Sequence, residues 1–144
     1  MAFWNSSAHP HHEVGIALFG LFLFGLSTLG SYFDLYQKLW WFDIPMHMCG
    51  GFWSTLIILV YFYSHRVRGE KPASLSFVFL LGVGGGLLVG LGWEVFEYIF
   101  TNIIATVPWD PVDTSADVLN DVIGGVLGVF LYRYLLDRVA LRSR

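Results

Sequence analysis

The chain has 144 residues, of which 56% are hydrophobic, 18% aromatic and only 13% charged, with a formal net charge of −3. A soluble domain carries about 25% charged residues, so a chain this apolar needs a bilayer as part of its solvent. The mild acidity and the absence of a basic stripe exclude a nucleic-acid-binding class. The single cysteine, Cys49, excludes an internal disulfide and reads as a small core residue, and no Cys/His zinc spacing occurs.

Residues 1–13 carry no Lys or Arg, and His9, His11 and His12 read as part of a short solvated tail. The uncharged run 14–33 follows. Its length suits a spanning helix of about 20 residues, not a signal-peptide core. A second span is expected over 44–64, with Pro45 in the first turn, where proline is tolerated. A third is expected over 75–100, and a fourth over 118–136, interrupted by Asn120, Asp121 and Arg133. Continuous apolar runs fit helices, whereas a barrel would alternate in polarity. The expected fold is a single all-α domain, an antiparallel bundle of four transmembrane helices joined by the short segments 34–43, 65–74 and 101–117.

Basic residues set the expected orientation. Arg66, Arg68, Lys71, Arg133, Arg138, Arg142 and Arg144 fall on one side of such a bundle, and only Lys38 on the other. The positive-inside rule makes the first side cytoplasmic, with both termini inside. Trp40, Trp41 and Trp109 then mark the outer interface, and Tyr61, Tyr63, Tyr132 and Tyr134 the inner one. Acids show the opposite bias: Asp34, Asp43, Glu94, Glu97, Asp110, Asp113, Asp117 and Asp121 all fall in the outer half.

Several of these acids lie within the spans. Asp43 and His47 are four residues apart, so they share a helix face, which Gly50, Gly51 and Ser54 continue. Glu94 and Glu97 share a face preceded by Gly82, Gly86 and Gly90. Asp117, Asn120 and Asp121 lead into Gly124 and Gly128. Small-residue seams let membrane helices approach closely, so three seams that meet would gather the three polar patches at one depth. An acid at mid-membrane costs roughly 2.5–3.5 kcal/mol, and Lys38 alone cannot neutralise this set. A bound cation or protonated carboxyls would. His47, Glu94, Glu97, Asp117 and Asp121 are the candidate ligands, with Asp43, Asp113 and Asn120 supporting them. One imidazole among carboxylates suits Zn, Mn or Fe, and an oxygen-only subset suits Mg or Ca.

Structural roles compete with this reading. Asp43 can cap the second helix, and Thr114 with Asp117 outlines a capping box for the fourth. His47 can be a packed, hydrogen-bonded core histidine, Asn120 and Asp121 can bond neighbouring helices, and the glycines can serve packing alone.

The segment Asp43-Ile44-Pro45-Met46-His47, the pair Glu94 and Glu97 after Trp93, and the run from Asp113 through Asp117, Asn120 and Asp121 to Gly124 occur in an order that resembles VanZ-like and YjdF-like bacterial membrane proteins. The Asp113-Thr114 pair and the second glutamate make the pattern more similar to the YjdF-like one. The VanZ-like lysine after the first aspartate and arginine at the fourth helix entry are not present. The resemblance implies a small multi-pass protein of the bacterial inner membrane, with a role at the cell envelope.

A metal-dependent hydrolase acting on a lipid-linked envelope substrate is one expected function. An accessory subunit of a larger membrane complex, or a homo-oligomer, is a second. Ion or proton handling is a third, since intramembrane acids often mark such paths.

Overall fold

The computed structural model describes residues 10–64, 73–99 and 110–142. The described residues are almost entirely helical, in the order α1 (Pro10–Tyr32), α2 (Leu35–Lys38), α3 (Asp43–Ser64), α4 (Leu75–Tyr98) and α5 (Pro111–Arg142). Four of these helices, all but α2, are long and apolar enough to cross a membrane. Their outward faces are apolar: Leu21, Phe24 and Leu80 are each at least two-thirds exposed, as lipid contact requires. Arg66, Arg68, Lys71, Trp109, Arg144 and His9 lie outside the described residues, as do the side chains of His11, His12, Arg138 and Arg142.

The helix boundaries have local causes. Ser74 caps α4, its hydroxyl accepting from the Phe77 amide at 3.2 Å. At α5 the structure corrects the expected start near residue 118. The helix begins at Pro111, and the Asp110 side chain accepts from the Val112 amide at 2.9 Å. An aspartate cap followed by proline in the first turn is a sufficient start signal, and it displaces the expected capping box. Thr114 and Asp117 are therefore inside the helix. Likewise Asp43 is the first residue of α3, with its side chain toward His47.

Helix α3 is the centre of the molecule, packed on α5, α4 and α1, while α4 and α5 also pack on each other. The fully buried Thr55 marks the three-helix contact and donates to the Gly82 carbonyl at 2.9 Å. Gly82 and Gly86 of α4 and Gly125 and Gly128 of α5 close around its side chain. The α3–α5 crossing is tighter still. A Cβ on Gly51 would fall on the Asp121 backbone, and one on Gly124 on the Met48 backbone. Gly50 has only ordinary contact with Asp121, at 3.8 Å, so it is looser than the seam expected for it. On α4, Val78, Gly82, Gly86, Gly90 and Glu94 form one buried stripe at four-residue steps, which carries Glu94 inward.

Helix α1 is attached differently, through α3 and the short α2. The Trp53 ring lies against Gly20, and its indole N–H donates to the Ile16 carbonyl at 2.8 Å. The chain after α1 folds back on it: Phe42 packs on Gly30, and the Tyr36 and Ser27 hydroxyls bond at 2.9 Å. Trp53→Phe keeps a six-membered aromatic ring but removes the donor and the pyrrole half of the indole. It is expected to lower stability in detergent by about 0.5–1.5 kcal/mol, read from thermal unfolding, with faster hydrogen exchange confined to α1.

Candidate metal centre

Three helix ends converge at one level: the start of α3, the end of α4 and the start of α5. His47 stands one turn into α3, about 6 Å along the axis from Asp43. Its side chain is only 6% exposed. Nε2 lies 3.4 Å from Asp43 Oδ1, 3.8 Å from Asp117 Oδ1 and 3.9 Å from Glu94 Oε1. Nδ1 faces away from that group, toward Asp121 Oδ2 at 3.4 Å. Asp43, His47 and Asp117 each offer a donor atom within 4.8 Å of the others, and so do His47, Glu94 and Glu97.

The supporting roles named from the sequence are distributed differently in space. Asp43 shares the ring nitrogen that Glu94 and Asp117 face, whereas Asp121 holds the opposite nitrogen. Asp121 is also wedged between α3 and α4, because Gly90 leaves space for its carboxylate and Gly51 for its backbone. Asp113 is exposed one turn before Asp117. Asn120 is half-buried and sits about 100° around the helix from Asp121.

Electrostatics make this arrangement costly. Like charges 4 Å apart repel by about 4 kcal/mol at an effective dielectric near 20. Lys38, the one lysine or arginine the sequence offers at this end, is exposed and turned to Asp34 at 3.5 Å and to the Phe33 carbonyl at 2.8 Å. Glu94 Oε1 is buried with no hydrogen-bond partner. A buried oxygen of this kind costs about 1–3 kcal/mol, more when charged, unless something else satisfies it.

A cavity of about 490 Å³ opens beside the centre, between α1 and the α3–α4 face. His47, Asp43 and Asp121 line its polar end, together with Tyr36. Burial pushes the Tyr36 phenol up from its ordinary range, so the group stays neutral there. The cavity was not legible in the sequence, because its walls come from helices far apart in the chain.

One bacterial relative is similar over most of the chain. An uncharacterised protein of Thermotoga maritima is 28% identical over 126 residues, 82% of this chain. The chain spans 62% of that relative's length. No solved structure matches the chain. With spanning helices and a matching family model over residues 3–138, the chain belongs to the family described as "Predicted membrane protein (DUF2238)".

Proposed function

We propose that this protein binds a divalent cation at its His47 centre, on the outer side of a bacterial inner membrane. The carrying observation is the buried Glu94 Oε1, which has no hydrogen-bond partner and lies 3.9 Å from the ring nitrogen that Asp43 and Asp117 also face. Two ligands about 2.1 Å from one ion, at a tetrahedral angle, stand roughly 3.4 Å apart. The separations of 3.4–3.9 Å around Nε2 are on that scale. Asp121 at Nδ1 then supplies the partner that orients a ligating histidine and raises its basicity. One nitrogen among carboxylates favours Mn²⁺ or Zn²⁺.

The outer location rests on the basic residues at the opposite end, and the single-domain reading on the common helical core. Kinship with YjdF-like or VanZ-like proteins rests on the ordered residues alone. A bound cation lowers the pKa of water, so hydrolysis of a lipid-linked envelope substrate is the reaction class such a centre would serve.

Elemental analysis of protein purified without chelator, after Mn²⁺ or Zn²⁺ loading, tests the cation. One equivalent per chain is expected for the wild type. His47→Ala is expected to lose roughly 90% or more of it, since ligand loss costs well over tenfold in affinity. Wild-type protein that stays folded and takes up no cation would refute the assignment.

A further inference from the structure

The cavity beside the centre is graded in polarity along the membrane normal. Ser31, Tyr36, Asp43 and His47 line it near the interface, while Gly20, Leu23, Phe24 and Trp53 line it deeper. Ser54, a polar residue at depth, has its hydroxyl committed to the Gly50 carbonyl at 2.8 Å. From Ser31 to Gly20 the wall runs about 16 Å at the helical rise. One leaflet of a hydrocarbon core about 30 Å thick is about 15 Å deep. The volume of about 490 Å³ is typical of a ligand site. Helix α1 closes one side by packing on α3, with no comparable contact to α4. The half-exposed Val89 and Trp93 of α4 therefore form a rim toward the bilayer.

We infer that this cavity takes an amphiphile from the bilayer, with its hydrocarbon chain between α1 and the Val89–Trp93 face of α4 and a phosphate head at the His47 centre. The inference rests on the cation reading above. Bare carboxylates would repel a phosphate, whereas a cation held by Asp43, His47, Glu94 and Asp117 attracts it. Hydroxyls of Ser31 and Tyr36 stand on the same wall to receive the remaining phosphate oxygens. Chain and head are both needed: the apolar wall matches the first, and the cation the second.

Calorimetric titration in dodecyl maltoside, with protein of measured metal content, tests this. The probes are hexadecyl phosphate, hexadecanol, inorganic phosphate and hexadecyltrimethylammonium. Hexadecyl phosphate is expected to bind roughly tenfold or more tightly than the alcohol or inorganic phosphate. Val89→Trp on one wall and Ser27→Phe on the other are expected to weaken it roughly tenfold with metal content unchanged. Leu88→Trp, on the outer face of α4, is expected to leave it unaltered. Equal binding of alcohol and phosphate, tighter binding of the ammonium, or indifference to both cavity-filling variants would overturn the inference while leaving the cation in place. Inorganic phosphate binding as tightly as hexadecyl phosphate would reduce the site to a phosphate site and also overturn it. A chain that takes up no metal overturns the cation reading and this one with it.

Discussion

Gly124→Val is expected to destabilise the protein by about 3 kcal/mol, at the upper end of overpacking effects. The added Cβ would fall on the Met48 backbone, so no side-chain rotation relieves it. The α3 and α5 helices must separate instead. Gly51→Val places the same demand on the Asp121 backbone and is expected to behave alike. Separation also pulls His47 from Asp117 and Asp121, so cation affinity should fall along with stability. At Gly25 and Gly92 an added Cβ meets nothing within 4 Å, and valine there should cost within about 0.5 kcal/mol. Denaturant unfolding in detergent separates the two classes. Equal costs at all four positions would show that the crossing is not held by close backbone approach.

Glu94→Gln is expected to change sign with metal. The amide keeps the shape of the side chain and removes a buried charge beside Asp43, Asp117 and Glu97. In chelator the variant should therefore be more stable than the wild type, by about 1–3 kcal/mol. With cation at a hundred times its dissociation constant, the wild type should gain about 2.7 kcal/mol and the variant little. Asp34→Asn, which alters an exposed pair with Lys38, should change neither measurement. Thermal unfolding with and without chelator reads both effects. A Gln variant weaker than wild type in chelator would mean that protein partners alone satisfy Glu94.

Much of the site can be read from spacing. Asp43 and His47, and Asp117 and Asp121, are each one helical turn apart, so each pair had to share a face. Glu94 continues a four-residue glycine stripe, and α4 buries that whole stripe. The helix ends are less legible, because their local signals lie outside the apolar runs. The α5 start was set by Asp110 and Pro111, outside the hydrophobic run, because capping depends on backbone donors and not on hydropathy. The short α2 is illegible for a related reason: one turn has no periodicity, and the residue before it, Asp34, lies in the left-handed region, φ 56°.

Composition by itself determined the class and the number of spans. Lipid requires each crossing segment to satisfy its own backbone and to show apolar side chains, and both conditions act one helix at a time. Which carboxylate faces which ring nitrogen was decided only in three dimensions. Asp121 reaches Nδ1, and Asp43, Glu94 and Asp117 surround Nε2, because glycines at Gly51, Gly90 and Gly124 set the depth and rotation of three helices against one another. The cavity beside α1 is likewise a product of two packed surfaces. No period within a single helix encodes the angle at which its neighbour arrives.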